Sequence, residues 1–238
     1  MPRDLLVVVP AYNEAATLPS VVAETRAVLD DAAIVVVDDA STDDTPALLP
    51  SLGVRWVRLP ARVGTGAAVR TGLRYGVERG FTTAVRLDGD GQHRPADAAR
   101  LLAPVALGAA DAVQGTRDDS TGGYRTHGMR RAGQRALGAV LTLAIGRRVT
   151  DPTSGFWAFG PRAMPLLARH HPSGYPEPEL LLLLHAHALR IAEVGVQMRP
   201  RVAGRTSLTA PRLGVALARV VLATALVRLR AVPGATPP

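Results

Sequence analysis

The sequence predicts an α/β fold in which a mostly parallel sheet is flanked by helices, and three observations carry that prediction. Short runs of β-branched and apolar residues alternate with segments of helical length, the order that builds strand-helix-strand units. Those runs are apolar at consecutive positions rather than at every second one, as in LLVVV at 5–9 and IVVV at 34–37, the pattern of strands buried on both faces. Polar clusters follow the first, second and fourth runs, and in open α/β sheets ligands bind beyond the carboxyl ends of the strands.

The first run ends at PAYNE, residues 10–14, and residues 15–29 then have helical length and mostly helix-forming side chains. Residues 34–37 repeat the strand pattern and stop at DDASTDDT, residues 38–45. Ser41 or Thr42 is the expected cap of a short helix there, with Asp43 and Asp44 in its first turn, where the helix dipole favours carboxylates. Residues 54–59 read as the third strand and 65–79 as a helix that opens with small residues and glycines. Residues 82–87 form the fourth strand, 95–107 a helix and 111–116 the fifth strand, which ends at Arg117, Asp118 and Asp119. A flexible connection at 120–123 leads to a helix over 128–145 that opens with Arg130, Arg131 and Arg135. The segment TDPTSGFWAF, within 149–160, reads as a loop entering a strand; 180–184 is a buried helix and 191–198 the last strand. With no repeat and no linker in view, residues 1–208 read as one domain.

Residues 209–231 follow as a helix and 232–238 as a disordered tail. Arg212, Arg219, Arg228 and Arg230 punctuate that helix. A spanning helix needs about 20 apolar residues, and an arginine near the bilayer centre costs on the order of 3 kcal/mol on insertion scales. The expectation is therefore a helix packed on the domain or lying at a membrane surface.

Composition narrows the chemistry. All 28 basic residues among the 238 are arginine and there is no cysteine, which excludes a Schiff-base lysine, a Walker-type lysine, disulfides and thiolate chemistry. A net charge of +8 points to an anionic partner. With 4% aromatics and no concentrated basic run, nucleic acid is not that partner. The first residues lack the layout of a secretory leader, so the expected location is cytoplasmic, or peripheral on the inner face of the membrane.

VRLDGDGQHRP, residues 85–95, is the richest stretch. On an extended chain residues two apart share a face, so Asp88 and Asp90 are expected side by side, with Gln92 adding a carbonyl oxygen. Paired carboxylates repel unless a cation lies between them, and hard divalent ions take such oxygen ligands. A plain polar turn is the simpler reading of an isolated DGD. A calcium loop of the EF-hand type is excluded because Ala99 stands at its twelfth position. His93 reads as a positioning or packing residue rather than a ligand. GTGAAV at 64–69 resembles a dinucleotide fingerprint, but residues 60–63 separate it from the preceding strand and remove the tight turn that fingerprint needs.

PAYNE, DDASTDDT, DGDGQHRP at 88–95, GTR at 115–117, TDPTSGFWAF at 150–159 and RVAGRTS at 201–207 occur in this order. Together they resemble the inverting family 2 glycosyltransferases, most of all the dolichyl- or polyprenyl-phosphate mannosyl- and glucosyltransferases, over residues 5–208. The resemblance implies a GT-A-type, Rossmann-like fold and a nucleotide diphosphate sugar as donor. It further implies donor contacts from Pro10, Tyr12, Glu14, Val37, Asp39, Asp88, Gly89, Asp90, Gln92 and Arg201. Asp88, Asp90 and Gln92 are the implied ligands of Mg²⁺ or Mn²⁺, and Asp90 and Arg117 the implied catalytic pair. Arg117 with Arg130 and Arg131 would hold an acceptor phosphate, which needs no strong base; Asp151 or Glu179 are the candidates if the acceptor is a hydroxyl. Arg130, Arg131 and Arg135 read equally well as a solvated helix face. Ser207 departs from the family pattern R-x-x-G-x-S-K, so one phosphate contact is lost or passes to Arg205.

The expected activity is metal-dependent, inverting transfer of a hexose to a polyprenyl phosphate. Transfer to a soluble acceptor, and a non-catalytic nucleotide-sugar-binding protein, are the alternatives.

Overall fold

The computed structural model describes residues 4–117, 129–173 and 176–200. The chain forms two compact units, residues 1–125 with 154–205 and residues 126–153 with 206–238. The first unit holds the strands β1 (Leu5–Ala11), β2 (Ala33–Asp38), β3 (Arg55–Arg58), β4 (Thr83–Arg86), β5 (Ala112–Arg117), β6 (Trp157–Phe159) and β7 (Ile191–Val196). They make one seven-stranded sheet in the order β3-β2-β1-β4-β6-β5-β7. Only β6 is antiparallel to its neighbours, β4 and β5; every other pair is parallel.

The helices of this unit are α1 (Leu18–Val28), α2 (Thr45–Leu48), α3 (Thr65–Glu78), α4 (Ala98–Ala106), α6 (Ala163–His170) and α7 (Pro176–Ala186). In the second unit lies α5 (Met129–Ile145). Within that unit, α5 sits close to the chain that follows it: a Cβ on Gly138 would lie 3.1 Å from the Val149 carbonyl.

Every residue of β1 is buried, as its unbroken apolar sequence demands. Leu5, Val7 and Val9 belong to the main core cluster with Leu18, Val21 and Val22 of α1 and Leu101 and Leu102 of α4. The alternate residues Leu6 and Val8 face α3 instead. A Cβ on Gly72 of α3 would come within 2.4 Å of Val8 Cγ1, and one on Gly76 within 2.6 Å of Leu6 Cδ2. Glycines four apart on one helix face thus let α3 lie directly on the sheet. At roughly 1.5–3 kcal/mol for each fully buried aliphatic side chain, β1 is the centre of the core.

From β1 the chain crosses to β2 on one side, and β4 later pairs on the other. Such a reversal of strand order opens a crevice at the carboxyl ends of the two strands. Pro10–Glu14 and Asp88–Asp90 leave the sheet there.

The structure corrects several expectations. Helix α2 begins only at Thr45, so Asp43 and Asp44 precede it, and Ser41 and Thr42 are not its cap. Asp43 instead takes the Thr45 N–H on Oδ1 at 2.9 Å. Helix α1 starts later than the sequence suggests, because the amides of Thr17 and Leu18 both turn back to the Glu14 carbonyl. The helix expected over 95–107 opens as a 3₁₀ turn, Pro95–Asp97, before α4. Helix α6 was not anticipated; Pro165 masks it, although a proline in the first turn breaks no intrahelical hydrogen bond. The connection at 120–123 and the C-terminal helix and tail lie outside the described residues.

Candidate active site

Two of the polar clusters are sewn together by their own side chains. Asn13, in the left-handed region at φ 57°, donates its N–H to Ser41 Oγ at 2.9 Å and takes the Thr42 N–H on Oδ1 at 2.8 Å. The Glu14 N–H reaches Thr45 Oγ1 at 2.9 Å and the Ala15 N–H reaches Asp43 Oδ2 at 3.2 Å. Asparagine tolerates that backbone conformation better than most residues, and its amide mimics a backbone turn. Much of DDASTDDT therefore holds the β1 loop in place.

Asp38 and Asp39 at the end of β2 are both buried. Asp38 accepts the Ser41 N–H at 3.0 Å and pairs with Arg58 Nε at 3.2 Å. Asp39 accepts the Val63 and Gly64 N–H groups, one on each oxygen and both at 2.8 Å. It thereby fixes the loop that enters α3. Next to that loop the Arg62 guanidinium lies 3.9 Å from the centre of the Tyr12 ring, a cation–π arrangement.

The DGD segment meets the first cluster directly. The Gly89 N–H donates to the Pro10 carbonyl at 3.3 Å, while the Thr17 hydroxyl donates to the Gly89 carbonyl at 2.7 Å and to Glu14 Oε2 at 3.1 Å. A Cβ on Gly89 would lie 3.2 Å from the Pro10 carbonyl oxygen, so this glycine permits the close approach of the two loops.

Strand alternation is not what places the two carboxylates, since β4 ends at Arg86 and the chain turns at Gly89. Asp88 Oδ1 pairs with Arg86 Nε at 3.0 Å, and Arg86 Nη2 with Glu177 Oε1 at 3.1 Å. Burial works against the Arg86 charge, but Asp88 and Glu177 outweigh it and hold the guanidinium more firmly protonated than usual. Burial also pushes the Glu177 carboxyl up; Arg86 pulls it down, and the Asp88 charge adds to the upward shift. Asp90 is buried and takes the Gln92 N–H on Oδ1 at 3.0 Å.

His93 lies beneath the segment. Its Nδ1 accepts the Asp88 N–H at 3.1 Å, and its ring stacks on Phe156 with centroids 4.8 Å apart. Burial lowers its pKa, Asp88 and Asp90 raise it, and Arg86 and Arg117 lower it further, with a net downward shift. Charges from β4, the DGD loop and the end of β5 thus act on one ring. The chain after β7 closes on the same place: Gln92 Nε2 donates to the Arg199 carbonyl at 3.3 Å, and the Arg199 N–H returns to the Gln92 carbonyl at 2.9 Å.

Of the residues singled out in the sequence, Pro10, Tyr12, Glu14, Val37, Asp39, Asp88, Gly89, Asp90, Gln92 and Arg117 all lie in the first unit, at or next to strand termini. The Val37 side chain is wholly buried in β2. Glu179 lies in α7. Arg130 and Arg131 open α5, in the second unit. Asp151 is also in that unit, where it accepts the Thr153 N–H at 3.2 Å. Arg201, Arg205 and Ser207 lie outside the described residues.

Sequence reasoning missed Arg86, Glu177 and Gly155. Arg86 did carry a signal, as a charge at the end of an otherwise uncharged strand. Glu177 did not, because only the fold brings α7 to β4.

The donor chemistry fits a hard divalent cation. Asp88 keeps its side chain 28% exposed, and Asp90 stands close enough for both charges to act on His93. Among the described residues no three His, Asp or Glu side chains form a complete metal cage. Magnesium sites commonly use one or two carboxylates and leave the remaining positions to water and substrate phosphates.

Comparison with known proteins gives a consistent picture. The family model described as Glycosyl transferase family 2 matches residues 6–163. A polyprenol monophosphomannose synthase of Mycolicibacterium smegmatis is 33% identical over 161 residues, which span 65% of this chain and 60% of that protein. An undecaprenyl-phosphate mannosyltransferase of Micrococcus luteus is 29% identical over 227 residues, spanning 91% of this chain and 92% of the relative. Among solved structures, glucosyl-3-phosphoglycerate synthase from Mycobacterium tuberculosis, in complex with Mn²⁺, UDP-glucose and phosphoglyceric acid, superposes with a TM-score of 0.69. Its identity is 28%, and the match covers 94% of this chain and 79% of the other.

Proposed function

Because the chain belongs to glycosyltransferase family 2, and is thus a glycosyltransferase with a GT-A fold, we propose that it transfers a hexose from a nucleotide diphosphate sugar to a polyprenyl phosphate. One observation carries the reading: the Gly89-to-Pro10 hydrogen bond of 3.3 Å joins PAYNE to DGD at the point where strand order reverses, the place where α/β sheets bind ligands.

Each group then has a task. Tyr12, covered by Arg62, offers a flat surface to the nucleoside, and Asp39 holds the loop beside it. Asp88 and Asp90, with Gln92, would hold Mg²⁺ or Mn²⁺, which supplies positive charge to the diphosphate leaving group. In the transfer the bond from the anomeric carbon to the diphosphate oxygen breaks as a bond to an acceptor oxygen forms on the opposite face, so the configuration inverts. A phosphate acceptor is already anionic and gives up no proton, and Arg117, at the end of β5, would orient it. One relative named a polyprenol monophosphomannose synthase and another named an undecaprenyl-phosphate mannosyltransferase support this acceptor class. Among the described residues no helix is long and apolar enough to cross a membrane. A lipid acceptor would be met at the membrane surface, on its cytoplasmic face.

A soluble acceptor bearing an anionic group is the second reading, favoured by the similarity to the solved synthase bound to phosphoglyceric acid. The two separate when transfer to a short-chain polyprenyl phosphate is assayed beside transfer to phosphoglycerate. Asp90→Ala is expected to abolish metal-dependent transfer while leaving the circular dichroism spectrum intact. A fully active variant rules out the assigned site.

A further inference from the structure

We propose that Arg86 is a positioning residue that orients Asp88 for the divalent cation, and that Glu177 is the anchor holding Arg86 in place. The inference rests on the functional reading above and extends it to two residues that reading does not use.

Arg86 is the last residue of β4, flanked in the sheet by Val8 of β1 and Trp157 of β6. Its side chain is 2% exposed. The rest of β4 and the following Leu87 are uncharged, and an apolar side chain at 86 would satisfy the same packing. A buried charge costs several kcal/mol before its partners compensate, and exchanging a buried ion pair for apolar residues is often neutral or stabilising. Moreover, Arg86 Nη1 is buried without a hydrogen-bond partner among the described residues, a further cost of about 1–3 kcal/mol. Core stability alone does not explain an arginine here.

The geometry supplies another reason. One planar guanidinium takes a carboxylate on Nε and another on Nη2, at 3.0 and 3.1 Å, from two elements far apart in sequence. Asp88 and Glu177 remain 28% and 18% exposed, so both acids reach solvent while the cation joining them does not. Gly155 presses its backbone against the pair. A Cβ there would stand 2.7 Å from Arg86 Nη2 and 2.8 Å from Asp88 Oδ2. With Oδ1 committed to Arg86 and Gly155 beside Oδ2, the Asp88 carboxylate has a restricted set of orientations before any cation arrives. Preorganisation of this kind, in which supporting residues fix the ligating side chain, raises metal affinity by an order of magnitude or more.

The test reads binding rather than turnover. UDP, GDP and the nucleoside diphosphates of the other common bases are titrated calorimetrically into the full-length protein, with and without Mn²⁺, for wild type, Arg86→Met and Glu177→Gln. Arg86→Met is expected to raise the half-saturating Mn²⁺ concentration for nucleotide binding at least tenfold, with metal-free nucleotide affinity unchanged. Glu177→Gln keeps an acceptor for Arg86 and sits at a partly exposed position, so it stays folded even if Arg86→Met does not; a three- to tenfold rise is expected for it. A wild-type Mn²⁺ dependence in Glu177→Gln, or in a folded Arg86→Met, overturns the positioning role and leaves the functional reading standing. A wild type that binds no nucleoside diphosphate of any of the common bases in a Mn²⁺-dependent way takes both down.

Discussion

His171 illustrates how strongly a single side chain can be held away from its solution chemistry. It follows α6, is 1% exposed, and has Nδ1 at 2.9 Å from the Pro172 carbonyl. Burial first, then the charges of Arg86 and Arg70, lower its pKa to about 3, against the opposing effect of backbone hydrogen bonds to Pro172 and Gly66. In the unfolded chain the ring protonates near its ordinary value of about 6.5. Between those values the unfolded state binds the extra proton, so the contribution to stability is complete above about pH 6.5 and is lost progressively as pH falls toward 3. At pH 5 the loss from this residue is about 2 kcal/mol, and His93, shifted in the same direction, adds to it. Urea denaturation at pH 7.5 and pH 5 checks the assignment. The stability lost between the two pH values should be smaller by about 2 kcal/mol in His171→Leu than in wild type, and an equal loss in both proteins refutes it.

Elements meet at distances that single side chains decide, and α3 against β1 is the clearest case. Alanine at Gly72 would put its Cβ 2.4 Å from Val8 Cγ1, on a strand buried along its whole length. The helix or the valine must move, and overpacking of this kind costs about 1–3 kcal/mol. Gly72→Ala is expected to lower the unfolding free energy by that amount in chemical denaturation. The double variant Val8→Ala/Gly72→Ala should be less destabilised than the sum of its single variants, and strict additivity would show that the two residues do not share the contact. The same scale explains what could be read from sequence. Strands β1 and β2 were legible because burial on both faces leaves an unbroken apolar run, and the acidic clusters were legible because they interrupt such runs. The expectation that Asp88 and Asp90 share a face rests on strand alternation, which stops at Arg86. The turn is set by the Gly89 bond to Pro10, which depends on β1 and β4 being neighbours. The Arg86–Glu177 pair depends in the same way on where α7 lands, and no local pattern encodes that. Asp43 and Asp44 read from the sequence as first-turn acids of a helix, whereas Asp43 ties the loops after β1 and β2 together.

For the molecule as a whole, the consequence is that binding at the strand termini should be felt by the entire first unit. The loops after β1, β2 and β4 all belong to that unit, and they are joined to one another and, through Gln92 and Arg199, to the chain after β7. A ligand seated there and absent from the unfolded chain stabilises the fold by linkage, by about 2.7 kcal/mol when present at a hundredfold excess over its dissociation constant. For a protein of 238 residues, each kcal/mol corresponds to about 2–4 °C in melting temperature. Mn²⁺ together with the correct nucleoside diphosphate should therefore raise the melting temperature by about 5–10 °C. Mn²⁺ alone should raise it less, because two carboxylates without a diphosphate leave most of the coordination sphere to water. Nucleotide alone should also fall short, since arginine and backbone amides must then meet the diphosphate without the cation. A thermal-shift panel of nucleoside diphosphates with and without Mn²⁺, repeated on Asp90→Ala, decides the matter and identifies the base. A shift that needs metal and nucleotide together, and disappears in Asp90→Ala, is the expected result. A metal-dependent shift of full size in the variant places the cation away from the crevice between β1 and β4.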